Sequence, residues 1–263
     1  MRVQWFMTDS FQVDKLEVEV FASREALGVR AARQVAAWLH EILEKKETAS
    51  VVFAAAPSQN EFLAALLGLE LPWHRIHALH MDEYVGLSGD DPASFQSYLR
   101  EHLFDHVAFE SVDFLQGDAE DLQAECERYA GVLEKRPPDL VCAGIGENTH
   151  LAFNDPPVAD FADPKFVKVV ELDRPCREQQ VNDGCFPSLD KVPTHALTLT
   201  IPALMQSRYL SCVVPGATKA DAVVKTLQAE VSSTYPATVL RGHSSAKLFL
   251  DKESAAQLEP QTS

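Results

Sequence analysis

Two adjacent carboxylates, Asp82 and Glu83, come directly after the apolar segment Arg75–Met81. That segment has the length and composition of a buried strand, so at least one of the two side chains must face a crevice with little water. A carboxylate held there can act as the base of a proton transfer, and Asp82 is the candidate for this role. Glu83 is a candidate for contact with the substrate of that reaction. A solvated pair of loop acids is the plainer explanation when these residues are taken alone.

A second polar segment, GIGENTH, ends at His150. Its two glycines would suit a dinucleotide-binding fingerprint, but Thr149 stands where the third glycine belongs. Gly146 can instead bring backbone N–H groups close to a ligand, which makes it a candidate substrate contact. His150, with Asn148 and Asp155 near it in sequence, is better suited to acid or base chemistry than to a place in the core.

Two further residues are candidates for binding an anion. Ser58 begins a helix after the buried run Ser50–Ala56, where free N–H groups and the helix dipole favour a phosphate. An ordinary N-cap serine explains Ser58 equally well. Lys219 lies in the first turn of the helix that follows the strand at Tyr209–Val214. A cation there opposes the helix dipole, and a bound anion would explain it.

Neither the histidines nor the cysteines predict a metal site. In an extended chain His77 points away from His74 and His80, and the helical pair His102 and His106 has no third ligand nearby in sequence. We interpret all five as structural surface residues. The five cysteines are odd in number and contain no C-x-x-C pair, so free and mostly buried thiols are expected.

Strands and helices alternate along the chain and place these residues at strand ends. After an edge-like strand at Leu16–Phe21, buried-strand patterns occur at Ser50–Ala56, Arg75–Met81, Asp139–Gly144, Lys165–Leu172, His195–Thr200, Tyr209–Val214 and Lys247–Leu250. Helical patterns occur from Ser23 to about Glu44 and at Asn60–Leu67, Ser94–His106, Ala119–Lys135, Thr218–Ala229 and Glu253–Leu258. The pattern predicts an α/β fold with a doubly wound, largely parallel sheet, in a single domain over residues 1–263, with ligands bound beyond the strand ends.

Two segments stand outside this alternation. Residues 154–164 form the longest irregular stretch and contain three prolines. A loop of this length is typical of lids and binding loops, so we expect it to cover the site. Residues 259–263 are expected to be a frayed tail.

The charge of the chain excludes one class of partner. Lys and Arg number 23 against 39 Asp and Glu, which gives a net charge of −16. Such a surface repels nucleic acid and anionic membranes. The N-terminus has no apolar signal run, and no segment approaches the roughly 20 apolar residues of a membrane span. We therefore expect a cytoplasmic protein with no nucleic-acid or membrane partner.

Together these motifs resemble those of the glucosamine-6-phosphate deaminases (isomerases) and 6-phosphogluconolactonases. The resemblance runs from about Phe53 to Asp251 and is most specific in MDEYVGL (Met81–Leu87) and GIGENTHLAFNDP (Gly144–Pro156). It implies the Rossmann-like fold of that family. Lactonases typically have Arg after the Asp-Glu pair, whereas this chain has Tyr84. The deaminase branch is therefore the better match.

The resemblance implies a role for each candidate residue. Asp82 would move a proton between C2 and C1 of a sugar, His150 would assist ring opening, and Asp155 would orient His150. Ser58 and Lys219 match positions that hold the sugar phosphate. The implied enzyme is a hydrolase and aldose–ketose isomerase, which converts glucosamine 6-phosphate or galactosamine 6-phosphate to a ketohexose 6-phosphate and ammonia. It would use no metal or organic cofactor, and a homo-oligomer is compatible with the sequence.

Three positions depart from the family pattern. Asn148 stands where the family usually has Asp, and we include it among the candidate catalytic residues. Because Asn carries no charge, Asp155 alone would stabilise a protonated imidazole of His150. The glycine-rich phosphate loop is replaced by AAPS, which ends at Ser58, and proline has no N–H to donate. The family's phosphate-binding arginine has no clear counterpart. Arg177, or else Arg174, is expected to take its place.

Two other functions stay open at this point. In a lactonase, His150 would activate water and Asp82 would not be needed to form an enol. In a sugar-phosphate sensor, Asn148 would reflect lost activity. Proton exchange at C2 of the substrate separates a deaminase from a lactonase, because only the deaminase requires it.

Overall fold

Eleven strands and seven α-helices follow one another in the computed structural model, which describes residues 9–258. The strands are β1 (Asp9–Val13), β2 (Leu16–Phe21), β3 (Ala49–Phe53), β4 (Ile76–His80), β5 (Asp82–Tyr84), β6 (Ser111–Asp113), β7 (Leu140–Ala143), β8 (Val167–Glu171), β9 (His195–Leu199), β10 (Tyr209–Val214) and β11 (Ala246–Asp251). The helices are α1 (Arg24–Leu43), α2 (Asn60–Leu67), α3 (Phe95–His102), α4 (Leu122–Lys135), α5 (Arg174–Asn182), α6 (Ile201–Met205) and α7 (Ala220–Gln228). The predicted frayed tail, residues 259–263, lies outside the described residues.

Eight strands form the main sheet, in the order β1-β2-β11-β10-β7-β3-β4-β6. Neighbouring strands from β2 to β6 are parallel, and β1 pairs with β2 in the antiparallel direction. The predicted doubly wound, largely parallel sheet is confirmed. The strand at Leu16–Phe21 is not at the edge, since it lies between β1 and β11.

A second sheet of three strands, β5-β9-β8, is antiparallel throughout. The prediction that the runs at 165–172 and 195–200 belong to the parallel sheet is therefore wrong. An apolar run marks a strand but does not identify its partner or direction. Strand β5 has three residues and was not predicted as a strand, yet it begins with Asp82 and pairs that residue with Thr198. The small sheet thus fixes the backbone of a candidate catalytic residue.

The main sheet is buried on both faces, as its continuous apolar strands require. Alternate residues of one strand contribute to separate cores: Val51 belongs to the cluster that includes residues of α1, α2 and α3, and Val52 belongs to the cluster that includes residues of α4 and α7. A third apolar cluster, around Tyr84 and Phe153, lies beneath the small sheet and α5. The strands are therefore held rigidly, and the residues that follow them are fixed in position.

Helix boundaries follow the local signals closely in some places and not in others. Ser23 caps α1 by accepting from the N–H of Ala26, as predicted. Helix α5 was not predicted, because RPCREQQVN has no apolar period, although Asp173 caps it through the N–H of Cys176. The segment Glu253–Leu258 forms turns instead of the predicted helix. No helix within residues 9–258 is long and apolar enough to cross a membrane.

Candidate active site

A cavity of about 300 Å³ opens beyond the carboxyl ends of β3, β4, β7 and β10. These strands are parallel, so their carboxyl ends meet at one edge of the sheet. This is where doubly wound sheets bind ligands, and the volume is at the lower end of the range of about 300–1,000 Å³ for small-molecule sites. The wall includes Met81, Asp82, residues 54–59, residues 144–146, His150 and residues 215–219.

Asp82 faces the cavity from the start of β5. Successive side chains of a strand point to opposite faces, so Asp82 lines the cavity while Glu83 points away from it. The side chain of Asp82 is buried. Burial, followed by repulsion from Glu83, raises the pKa of Asp82 well above its usual range. Once ionised, a carboxylate in this environment is a stronger base than an exposed aspartate.

Glu83 is fully buried behind the cavity wall and accepts three backbone hydrogen bonds. Its oxygens accept from the N–H groups of Tyr84 at 2.9 Å, Phe95 at 3.0 Å and Gln96 at 2.9 Å. Burial raises the pKa of Glu83 to about 7, against the lowering effect of these bonds. The prediction that Glu83 contacts substrate is wrong. Its carboxylate instead ties β5 to the N-terminus of α3 and so positions Asp82.

His150, Asp155 and Asn148 form one hydrogen-bonded group. The Nδ1 atom of His150 lies 2.9 Å from Oδ1 of Asp155, and Nδ2 of Asn148 donates to the same oxygen at 2.7 Å. The Oδ1 atom of Asn148 accepts from the backbone N–H of His150 at 3.1 Å. Of the three, His150 alone lines the cavity. Asp155 and Asn148 therefore act through His150 and are positioning residues.

The carboxylate of Asp155 stays ionised despite its burial. Burial acts to raise its pKa, but the charge of His150 and hydrogen bonds from His150, Asn148 and Cys176 outweigh it, and the net pKa is lowered. A carboxylate in this state holds Nδ1 of His150 as a donor. Nε2 is then the ring nitrogen that faces a substrate.

Gly146 provides the space that the imidazole of His150 occupies. A Cβ atom on Gly146 would lie 2.2 Å from Cε1 and Nε2 of that ring. The N–H of Gly146 donates to the carbonyl of His150 at 3.0 Å, so it is not available to a ligand. Gly146 does line the cavity. The prediction that its N–H binds substrate is wrong, and its contribution is the absence of a side chain.

Gly146→Ala should therefore displace the His150 ring and lower turnover by roughly 100-fold, the usual cost of a misplacement of about 1 Å at a reacting group. Gly131→Ala, inside α4, is the matched control, because no atom lies within 4 Å of its added Cβ. Steady-state rates and thermal unfolding of both variants test this. Wild-type turnover by Gly146→Ala would contradict the role assigned to this contact.

Ser58 and Lys219 both line the cavity, from the loops after β3 and β10. The hydroxyl of Ser58 accepts from Nε2 of Gln59 at 3.1 Å. Lys219 is 7% exposed, and within residues 9–258 its ammonium group forms no hydrogen bond or ion pair. Burial lowers the pKa of Lys219. An ammonium group on a mostly buried side chain is weakly hydrated, and an anion in the cavity would stabilise it.

Arg177 and Arg174 do not reach the cavity. The Nη2 atom of Arg177 donates to the carbonyls of Leu189 at 2.7 Å and Val192 at 2.9 Å, which anchors the segment after α5. The side chain of Arg174 is 78% exposed and its Nε donates to Glu178 at 2.6 Å. The prediction that either arginine binds the phosphate is wrong, because α5 turns both away from the site.

The loop at residues 154–164 does not contribute to the cavity wall, although Ala152 and Phe153 before it do. Asn154 is fully buried, and its Nδ2 atom donates to two backbone carbonyls at 2.8 Å. These bonds fix the start of the loop within the protein. The wall expected from this loop is instead formed by α5 and the residues after it, namely Gln179, Gln180, Asp183 and Cys185.

Several residues of the cavity wall were not identified from the sequence, among them Arg24, Gln179 and Gln180. The Oε1 atom of Gln179 accepts from the N–H of Glu147 at 2.9 Å, and Oε1 of Gln180 accepts from the hydroxyl of Tyr84 at 2.7 Å. Both amides are therefore held in place. No local signal marked them, since α5 itself has no apolar period.

One group of potential metal ligands occurs among the described residues. Nδ1 of His150, a carboxylate oxygen of Asp155 and Sγ of Cys176 lie within 4.8 Å of one another. Burial raises the pKa of Cys176 far above its usual range, whereas a metal-bound cysteine must be deprotonated. His150 and Asp155 are better described as a hydrogen-bonded pair with the thiol of Cys176 nearby. The prediction that His80 lies at the surface is wrong, because its side chain is fully buried.

A sequence model described as glucosamine-6-phosphate isomerases/6-phosphogluconolactonase matches residues 22–249. The chain belongs to this family, and the names of its relatives indicate an enzyme. A glucosamine-6-phosphate deaminase of Bacillus cereus (strain G9842) is 37% identical over 216 residues, which cover 82% of this chain and 80% of the relative. The deaminase of Bacillus thuringiensis (strain Al Hakam) is 36% identical with the same coverage. The resemblance found in the motifs is confirmed.

Solved structures agree with this assignment. A monomeric glucosamine-6-phosphate deaminase of the NagB superfamily superposes with a TM-score of 0.82 and 33% identity, over 90% of this chain and 98% of that one. A 6-phosphogluconolactonase from Thermotoga maritima gives a TM-score of 0.72 and 21% identity, over 89% of this chain and 99% of that one. The lactonase shares the fold, and the deaminase shares considerably more of the sequence.

Proposed function

We propose that the protein converts an amino-sugar 6-phosphate, with glucosamine 6-phosphate as the first candidate, to a ketohexose 6-phosphate and ammonia. One observation supports this above the others: Asp82, His150 and Lys219 line a single cavity. A base, an acid and a cation at one site match the three groups of such a substrate, namely its C2 proton, its ring oxygen and its phosphate.

His150 opens the pyranose ring in this proposal. The ring oxygen must gain a proton as the C1 hydroxyl loses one, and an imidazole can transfer both. Asp155 orients the ring of His150 and stabilises its protonated form through the 2.9 Å contact with Nδ1. Asn148 holds the carboxylate of Asp155 from the other side. Opening exposes an aldehyde at C1, which makes the C2 proton acidic.

Asp82 then moves the proton. Its carboxylate takes the proton from C2, the double bond forms between C1 and C2, and the aldehyde oxygen at C1 gains the proton that the ammonium group at C2 loses. The same carboxyl group then returns a proton to C1 as the nitrogen lone pair forms the carbon–nitrogen double bond. The product of this isomerisation is an imine at C2. Water adds to the imine carbon and ammonia leaves, so one water is consumed for each ammonia released. The names of the relatives do not report this hydrolytic step, which belongs to the proposal, and the choice between glucosamine and galactosamine also stays a prediction.

A panel of substrates tests the proposal directly. Both hexosamine 6-phosphates and the 6-phosphogluconolactone are offered to the purified protein, while ammonia and acid release are measured. Ammonia release from a hexosamine 6-phosphate is the expected result. Acid release from the lactone alone would replace the proposal by the lactonase alternative, and phosphosugar binding without turnover would replace it by the sensor.

The activity should depend on pH through the pair Asp82 and Glu83. Asp82 must be ionised to act as a base, so kcat/KM should rise with pH through the raised pKa of Asp82. Glu83→Gln removes the charge that helps to raise this pKa, so the acidic limb of the profile should move to lower pH. Glu125→Gln is the control, since Glu125 is also buried but bonds to Arg128 at 2.6 Å instead. An unmoved limb in Glu83→Gln would contradict the coupling.

A further inference from the structure

We infer that Arg24, the first residue of α1, binds the phosphate of the substrate together with Lys219. This inference rests on the proposed function. It supplies the guanidinium group that was expected from Arg174 or Arg177 and that α5 turns away from the site. Arg24 lies far before α5 in the sequence, yet its side chain lines the cavity.

The guanidinium of Arg24 is fixed by one side of its planar group. Its Nε donates to Oε1 of Glu61 at 2.9 Å, and its Nη2 donates to Oε2 of Glu61 at 3.0 Å and to the carbonyl of Pro57 at 3.1 Å. Within residues 9–258 its Nη1 has no hydrogen-bond partner. This atom lies 3.9 Å from the position of a Cβ on Gly216. Nη1 is therefore the donor that remains, between the loop after β3 and the loop after β10.

Charge shows why a second cation is needed. The arginine and lysine side chains of the cavity wall are Arg24 and Lys219, and two carboxylates, Asp82 and Asp183, share the wall with them. A phosphate monoester is close to a dianion near neutral pH. The buried ammonium of Lys219 supplies one charge. Arg24 can supply the second positive charge, and its planar guanidinium group suits the oxygens of a phosphate.

Both cations occupy positions that the local structure disfavours. Arg24 is the first residue of α1, directly after the cap Ser23, and Lys219 directly precedes α7. The N-terminus of a helix carries partial positive charge, which repels a cation. Two helix N-termini that both present a cation to one cavity would be stabilised together by an anion bound between them. Glu61 fixes the direction of the Arg24 side chain, but it leaves Nη1 free for that anion.

Three variants separate anion binding from a purely structural contact between α1 and α2. Arg24→Ala removes the donor, whereas Glu61→Gln weakens the bridge to α2 and keeps Nη1. Arg174→Ala removes the same charge from an exposed site and is the control. The readouts are KM and kcat for glucosamine 6-phosphate and, independently of any turnover, the affinity for inorganic phosphate measured by calorimetry.

Arg24→Ala should weaken phosphate binding and raise KM by roughly 10- to 150-fold, the range for a lost hydrogen bond to a charged group, with kcat little changed. Glu61→Gln should bind phosphate at least as tightly as the wild type. The inference would be overturned if Arg24→Ala and Glu61→Gln lost phosphate affinity equally. It would also be overturned if Arg24→Ala had the same phosphate affinity and KM as Arg174→Ala. If the wild type releases no ammonia but still binds phosphate through Arg24, the proposed function fails and this inference stands.

Discussion

Asp82→Asn should reduce ammonia release from glucosamine 6-phosphate by roughly 10²- to 10⁴-fold, the contribution usual for a positioned acid or base. The amide has the shape of the carboxyl group but cannot accept the C2 proton. The environment of Asp82 favours a neutral group, because burial and Glu83 both oppose its ionisation. The variant should therefore fold with wild-type stability. Steady-state rates, together with binding of the phosphosugar by calorimetry, measure the effect.

Asp90→Asn is the control for this variant, since the side chain of Asp90 is 94% exposed and pairs with Arg100 on the surface. It removes the same charge and should leave both turnover and binding unchanged. Asp82→Asn, by contrast, should lose turnover and retain binding. Full turnover in Asp82→Asn would show that another group removes the proton, and a lactonase reaction, which needs no enol, would then be favoured.

Lys219→Ala should raise KM for the phosphosugar by roughly 10- to 150-fold, because a buried charge-assisted bond to the phosphate is lost. The whole chain carries a net charge of −16, so long-range attraction cannot replace a local cation. Removal of one charge from such a total would otherwise change affinity very little. The size of the effect therefore reports the position of Lys219 and not its contribution to the net charge.

Lys225→Ala is the matched control for Lys219→Ala. Lys225 lies in α7, the helix that Lys219 directly precedes, but its side chain is partly exposed and pairs with Asp221 at 2.6 Å. It should leave KM unchanged. Equal KM values for the two variants would remove Lys219 from the phosphate site, whereas a large difference would place the phosphate beside the loop after β10.

The sequence predicted the main sheet and, besides Gly146, four cavity residues because both depend on local patterns. Apolar runs marked β3, β4, β7 and β10, and parallel strands bring the residues that follow them to one edge. Asp82, His150, Ser58 and Lys219 are such residues, and all four line the cavity. Glu83 was misplaced because β5 was not recognised as a strand. Successive side chains of a strand point to opposite faces, so recognition of β5 would have predicted that Glu83 and Asp82 face opposite ways.

The remaining errors concern contacts between segments distant in sequence. Arg24 meets Glu61 across 37 positions, and the packing of α1 against α2 creates that contact. Helix α5 has no apolar period, so its cavity face could not be assigned, and Arg177 was chosen where Gln179 and Gln180 line the wall. Charge and motif select candidate residues. Tertiary packing decides which of them face the ligand.

The movement of the C2 proton shows whether Asp82 is the base. Glucosamine 6-phosphate labelled with deuterium at C2 is incubated with the wild type and with Asp82→Asn, and the label is followed by nuclear magnetic resonance. We expect the wild type to remove the label from C2 as ammonia forms and to deliver it to C1 or to water, and we expect Asp82→Asn to leave it at C2. Label loss at the wild-type rate in Asp82→Asn, or a label that stays at C2 in the wild type, would contradict the account.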